Sequence, residues 1–342
     1  MLSRPMILFG FATLMPLALL TLAALQGGWW VLAALVFLTV LTGSLDELVR
    51  RVSPPTSESE FPAADALLVA LGIGHFVLLL VVVTTLAGDT LALWEKLPLF
   101  FAAGLFFGQV SNSNAHELIH RGSRALHRLG MWIYISMLFG HHTSAHVLVH
   151  HRLVATRDDP STSRIGESLY RYVIRAWRGS FVSGYKAEAS RLAKINRPAW
   201  RNPYWLYIAG AAGFVLWAYV LAGGKGVFVY ICLVGFAQFQ LLMSDYVQHY
   251  GLSRAVREDG RPEPVGDRHS WNSPHWFSSA LMLNAPRHAA HHAHPSRPYA
   301  SLDLPEDSPM LPRSLPVMAC IALHPRLWRK VMDDRARVWR PA

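Results

Sequence analysis

Cysteine is scarce: the 342 residues hold two, Cys232 and Cys320, far apart and each in an apolar run. Two separated thiols exclude a disulfide framework, and without a CxxC pair there is no thiolate zinc site or iron–sulfur cluster. Any electron carrier must therefore be a separate molecule. Charge is scarce too, at 16% of residues, where an average soluble domain has about a quarter. Acidic residues are rarer than basic ones, 22 against 32, for a net charge of +10. In a soluble chain that excess would point to nucleic acid. In a chain that is 52% hydrophobic it reads instead as Lys and Arg gathered in the cytoplasmic loops of a membrane protein, and no nucleic-acid partner is expected. No strong internal repeat and no low-complexity segment stands out.

What is abundant is apolar sequence in long runs. Six of them read as transmembrane helices, at about 5–25, 29–41, 64–87, 97–110, 204–221 and 226–244. The second and fourth are short and need flanking residues to complete a crossing. The first follows Arg4 as a signal peptide would, but its apolar part is longer than a signal core and a second run follows at once, so it reads as a span. Gly27-Gly28, the stretch 88–96 and Gly223-Gly224-Lys225 are short connectors, and the polar stretch 43–60, with Pro54-Pro55, is a loop. The stretch 152–201 carries eleven Lys or Arg against four acidic residues, while the connectors 88–96 and 223–225 carry one lysine each. That asymmetry places the long stretch, the tail after His249 and the N-terminus in the cytoplasm. The apolar segment 131–140 is too short to cross. If it dips in and returns, everything polar on either side of it shares one membrane face. The expected fold class is an all-α integral membrane protein, one domain over 1–342, with about six transmembrane helices and a cytoplasmic histidine-rich cap. The candidate metal-site segments of that cap are 114–151 and 245–294.

Nine of the 17 histidines fall in four short groups beside the apolar runs. They are His116 and His120 in HELIH; His146, His150 and His151 in HVLVHH; the lone His249; and His288, His291 and His292 in HAAHH. Imidazole is the commonest metal-binding side chain and suits iron among other metals. Residues four apart share a helical face, so His116 and His120 can grip one ion. By the same rule His146 and His150 share a face and His151 points about 100° away, which lets one segment serve two ions. The last box can do the same. HExxH also has the form of a zinc protease motif, but that reading leaves seven clustered histidines without work. Nine neutral imidazoles exceed the four ligands zinc takes. Split over two six-coordinate ions they leave positions for O2 or water, which favours iron. Of the other histidines, His75 sits inside a span and reads as packed or hydrogen-bonded, and His127 and His324 lack close partners. His141, His142, His269, His275 and His294 lie near the clusters, where they can support ligands. A membrane metal transporter or sensor is the non-enzymatic alternative. It should place ionisable residues along its spans, and only His75 lies clearly inside one.

Taken together, HELIH, HVLVHH, DYVQHYG (245–251) and RHAAHH resemble the boxes of the membrane-bound non-haem di-iron alkane monooxygenases, within the fatty-acid desaturase and xylene monooxygenase superfamily. Those boxes read roughly HExxH, EHxxGHH, NYxEHYG and LQRHxxHH. Ser270-Trp271-Asn272-Ser273 and the stretch 295–332 also look like the alkane hydroxylase group, so the resemblance covers most of the chain from Asn114 onward. The chain departs from the pattern at Ala145, Val149, Asp245, Gln248 and Ala285-Pro286. The resemblance implies that the nine histidines bind two Fe ions, with no catalytic residue beyond the ligands. It makes Glu117, Asp245, Gln248, His142 and His269 candidates for supporting those ligands. It implies O2 as co-substrate and electrons from a rubredoxin or ferredoxin served by an NAD(P)H reductase; the charge of the Arg-rich stretch 152–201 suits docking of an acidic carrier and contact with membrane lipid equally well. The substrate it implies is an apolar alkyl chain of medium length, drawn from the bilayer of a bacterial inner membrane and hydroxylated at its end. A lipid desaturase or a hydroxylase of aromatic methyl groups is the enzymatic alternative. No oligomeric state follows.

Overall fold

A computed structural model describes residues 3–48 and 61–341. The elements in it are helical: α1 (Arg4–Gln26), α2 (Trp29–Leu48), α3 (Phe61–Ala87), α4 (Leu93–Phe106), α5 (Asn112–Ile119), α6 (Arg124–Ser136), α7 (His142–Ala145), α8 (Leu169–Lys194), α9 (Tyr204–His249), α10 (Trp276–Leu281), α11 (His288–Ala293), α12 (Leu315–Ala322) and α13 (Pro325–Val338). Among the described residues, four stretches are long and apolar enough to cross a membrane: Arg4–Gln26, Trp29–Leu48, Ala63–Ala87 and Tyr204–His249.

Two expectations change. The short run at 29–41 does not stop there. A π-helical turn (Phe37–Leu41) carries it on to Leu48, giving 20 residues and about 30 Å, the thickness of a bilayer core. Residues 43–48 of the expected loop are therefore helical, and the rest of it, with Pro54-Pro55, lies outside the described residues. The run at 97–110 begins earlier, at Leu93, and passes through another π turn (Phe107–Ser111) directly into α5. The expected connector 88–96 is shortened to match.

Helix α9 spans 46 residues, yet its backbone is non-helical at Ala222 and Gly223. Gly223 has φ +58° and ψ −147°, close to the values of Gly27 and Gly28, where α1 turns back into α2. A straight helix would hold Trp217 and Tyr230 about 20 Å apart, but their rings lie 6.0 Å apart. The segment is thus a helical hairpin, in keeping with two apolar runs joined at Gly223-Gly224-Lys225. Small residues bring α4 against it: a Cβ at Gly104 would land on the Phe236 ring, and one at Gly108 on the Gln240 side chain. Two glycines one turn apart are what close helix packing in lipid uses.

The outer faces are apolar as well as the core. Ile7, Phe11, Ile73, Val77, Val220 and Phe228 are exposed, as a chain surrounded by hydrocarbon requires. Inside, His75 Nε2 meets Ser136 Oγ at 2.8 Å. Helix α6 has 13 residues, about 20 Å, too short to cross. It folds back along α5, with Gly130 against Leu118 and the Ala115 carbonyl. The chain therefore returns to the end it left, and His146 meets His116.

Candidate metal centre

Each histidine group arrives on its own element. His116 and His120 end α5, His146 to His151 follow α7, His249 closes α9, and His288 to His292 make up most of α11. The described residues bring them into two sets. The first is His116, His120, His146, His151 and His291, and the second is His150, His249, His288 and His292. Within a set all ligand atoms lie within 4.8 Å of one another.

The partition of the second box differs from the helical expectation. His146 to His150 form a π turn, whose wider winding puts residues five apart, not four, on one face. His146 Nε2 consequently meets His151 Nε2 at 2.9 Å, while His150 points into the other set. The segment does serve two sets, but as 146 with 151 against 150. The last box divides by the α-helical rule, His288 and His292 together at 3.1 Å and His291 apart.

The nitrogen spacing fits a metal ion. His116 and His146 are 2.8 Å apart, His151 and His291 3.1 Å, and His249 and His288 2.9 Å, all Nε2 to Nε2. His146 Nε2 faces two such atoms at once, which one shared proton cannot satisfy. The Nε2 atoms of His120 and His150 are buried without any partner. With nitrogen about 2.0–2.1 Å from the ion, ligands at a right angle lie about 2.9 Å apart and tetrahedral ones about 3.3 Å. The observed spacing, 2.8–3.1 Å, is that of ligands gathered round one ion. Burial, then the neighbouring imidazoles, holds His116, His146, His151, His291 and His292 well below the usual imidazole range, and brings His120 to about 4 and His288 to about 3. All are neutral near pH 7, with lone pairs free for a cation.

His150 is the exception. Burial would lower it, but the Asp159 carboxylate offsets that and its pKa is raised. His150 Nδ1 lies 2.8 Å from Asp159 Oδ2, which leaves Nε2 for the metal. Asp159 is held in turn by the Thr162 hydroxyl at 2.7 Å and the Ser161 N–H at 3.1 Å. The sequence reading missed this aspartate. The acidic pair Asp158-Asp159 soon after the second box was the available signal.

The five expected supporting residues behave differently. His142 stacks on His146 with ring centres 4.9 Å apart. Gln248 accepts from Ser244 Oγ at 2.9 Å and donates to the Ala285 carbonyl at 3.0 Å. Asp245 lines the same cavity as Gln248 and acts on His150 by its charge. Glu117 accepts the Tyr299 N–H at 2.9 Å and pairs with Arg121 at 3.2 Å; burial lifts it to about 7. Engaged in that way, it is not the free base a zinc-protease reading needs. The His269 ring turns to Glu263 at 3.1 Å and the Gly266 N–H at 2.9 Å. Only its backbone touches the centre, by bonding to His249. The 270–273 stretch is a brace: Asn272 Oδ1 accepts the Ala289 N–H of α11 at 2.9 Å, and Trp271 Nε1 donates to the Tyr250 carbonyl at 2.9 Å.

One narrow cavity touches both sets, reaching His116 of the first and His288 of the second. Leu241, Met243, Met282 and Leu315 line it beside the polar Gln109, Gln240, Ser244, Asp245 and Gln248.

Comparison with known proteins agrees with this picture. Residues 91–318 match the family model described as fatty acid desaturase. Alkane 1-monooxygenase 1 of Pseudomonas aeruginosa is 32% identical over 328 residues, covering 91% of this chain and 84% of that protein. Alkane 1-monooxygenase 1 of Alcanivorax borkumensis is 33% identical, covering 78% of this chain and 66%, just under two thirds, of the relative. The hydroxylase component of xylene/toluene monooxygenase from Pseudomonas putida is more distant, at 27% identity over 66% of this chain.

Proposed function

Because this chain belongs to the fatty acid desaturase family, on its alkane 1-monooxygenase branch, we propose that it is a membrane oxidoreductase that hydroxylates the terminal C–H bond of an alkane. The carrying observation is the pair of histidine sets, each close enough to hold an ion, with one cavity reaching both. The nine histidines would hold two iron ions, five ligands on one and four on the other. Iron, when bound, supplies the redox chemistry that activates O2 with two electrons. The protein's own part is placement. Asp159 fixes the tautomer of His150, and burial keeps the other imidazoles neutral. The apolar side chains of that cavity would lie along a linear chain. Its terminal methyl then reaches the reacting point ahead of weaker internal C–H bonds, because position decides which bond is attacked.

The rest of the reading follows from charge and length. The whole chain forms one domain of six spans, with the α9 hairpin counted as two and α4 as one. The Arg-rich stretch 152–201 and both histidine sets face the cytoplasm of an inner membrane. A rubredoxin or ferredoxin, with its NAD(P)H reductase, delivers the electrons there. The decisive experiment supplies iron-loaded protein with such a donor system and analyses products from octane, dodecane, xylene and an acyl lipid. Primary alcohol from the alkanes is expected. Untouched alkanes beside an acyl lipid that gains a double bond would replace hydroxylation by desaturation. One zinc per chain without iron-dependent turnover would remove the di-iron reading.

A further inference from the structure

Behind His249 lies a group of aromatic rings that the hydroxylation chemistry does not use. Tyr172, Tyr246, Tyr250 and Trp328 are all fully buried. Tyr246 has its ring centre 5.3 Å from Tyr172, 5.4 Å from Tyr250 and 5.2 Å from Trp328, and Tyr250 and Trp328 are also 5.2 Å apart. Tyr250 follows His249 in the chain, so their Cα atoms are about 3.8 Å apart. At the far end, Trp328 sits on the inner face of α13, whose outer face carries exposed Arg326 and Lys330. The rings thus run from the second histidine set to the underside of a surface helix.

Their hydroxyls are not equivalent. Tyr172 donates to the Ser161 carbonyl and Tyr246 to the Glu167 carbonyl. A peptide carbonyl accepts a hydrogen bond but is too weak a base to take a proton. Trp328 Nε1 is buried without a partner. Tyr250 alone of the four donates to a carboxylate, Asp333 Oδ1, at 2.6 Å, and it also accepts the Gly166 N–H at 2.7 Å. A phenol loses an electron readily only if its proton has somewhere to go.

We propose that Tyr250, with Trp328 behind it, is a redox relay that drains oxidising equivalents from the histidine centre when no alkyl chain is present. The proposal rests on the monooxygenase reading for the source of the oxidant. One electron passes from Tyr250 to the oxidised centre, and the phenolic proton crosses to Asp333. This leaves a neutral tyrosyl radical and a protonated carboxyl group. One electron from the reduced carrier protein, arriving by way of Trp328, whose ring touches Tyr250 directly at 5.2 Å, restores the phenol as Asp333 returns the proton. Without the relay, the same oxidant attacks the nearest side chains, the histidines themselves.

Two measurements test this. In the first, reduced iron-loaded protein meets O2 without alkane and is freeze-quenched for electron paramagnetic resonance. A tyrosyl signal is expected in the parent chain, absent in Tyr250→Phe and weaker in Asp333→Asn. Peptides bearing His249 and His288 should become several-fold more oxidised in Tyr250→Phe, by mass spectrometry, and octane should abolish the difference. Equal oxidation in Tyr250→Phe and the parent chain, with iron content and melting temperature unchanged, would overturn the relay. The second measurement needs no iron. Flash photo-oxidation of the metal-free protein with a ruthenium sensitiser should place the radical on Tyr250, with its loss in Tyr250→Phe. A radical that ignores that substitution refutes the relay whatever the alkane assay shows. A radical that obeys it, in a protein that leaves alkanes untouched, keeps Tyr250 as the oxidisable ring but overturns the relay's source of oxidant along with the monooxygenase reading.

Discussion

The two histidine sets are built to different standards. The second is four fully buried side chains, backed by Asp159 behind His150 and by the 270–273 brace behind His249 and His288. The first is five side chains, of which His116, His120 and His151 are only partly buried. No carboxylate among the described residues is bonded to any of the five. A carboxylate behind an imidazole fixes its ring and raises its basicity. The second set is thus preorganised, and the first relies on ligand number. On the two-ion reading proposed above, this difference predicts that the ions can be lost separately.

The largest effect should come from His146→Ala. His146 Nε2 touches both His116 and His151, so its loss opens the middle of the first set. The variant should keep the second ion, lose the first and have no detectable alkane turnover. Metal analysis after gel filtration checks it. Loss of both ions together would show that the sets are one cooperative site and break the comparison. Next is Asp159→Asn, which keeps the shape but removes the charge behind His150. Metal affinity of the second set should fall about 10–100-fold, the usual cost of such a partner, with the first set unchanged, as read by chelator competition. An equal fall in both would mean that Asp159 holds the fold instead of tuning one ligand.

How much of this could be read from residue order depends on which distance a contact spans. His116 with His120, and His288 with His292, follow from α-helical spacing alone. His146 with His151 does not, because the π turn that aligns them leaves no mark in residue identity. Asp159 reaches His150 through a turn whose course is set by Thr162, Ser161 and the packing of α8. The expected end of the second span failed for a similar reason. Polar residues after Leu41 looked like a loop, yet Asp46 is buried in α2 because its carboxylate accepts the N–H groups of Phe277 and Ser278, each at 3.1 Å. A partner more than two hundred residues away in the chain decides that boundary. Both Gly-rich reversals were legible, since positive φ is what Gly supplies at no steric cost.

A smaller effect is expected from Gly108→Ala. The new methyl group would meet Gln240 and, at 3.0 Å, the backbone oxygen of Ala237. Neither can move far, so α4 must shift away from α9. Overpacking of this kind costs about 1–3 kcal/mol, visible as a lower melting temperature in detergent. Because α4 runs through its π turn into α5, the shift should loosen His116 and His120 more than the second set. Iron should therefore leave the first set at a lower chelator concentration than in the parent chain. A loss confined to the second set would reverse the ranking.

The smallest effect should follow Gln248→Glu, which places a carboxylate where the resembling family carries one. The Gln248 amide donates to the Ala285 carbonyl at 3.0 Å, and a carboxylate cannot donate. The Ser244 hydroxyl can still donate to it, so half of the local network survives. Losing one neutral hydrogen bond of this kind costs about 1 kcal/mol. Asp245 lines the same cavity, so a second carboxylate there also meets a like charge. Stability should fall by about that amount, with both ions retained, because neither bond of Gln248 involves a histidine. Calorimetry and metal analysis on one preparation check both halves. If the second ion is lost instead, the strand of contacts from Gln248 through Ala285 to His288 carries more of the site than Asp159 does, and the contrast between the sets would need a different cause.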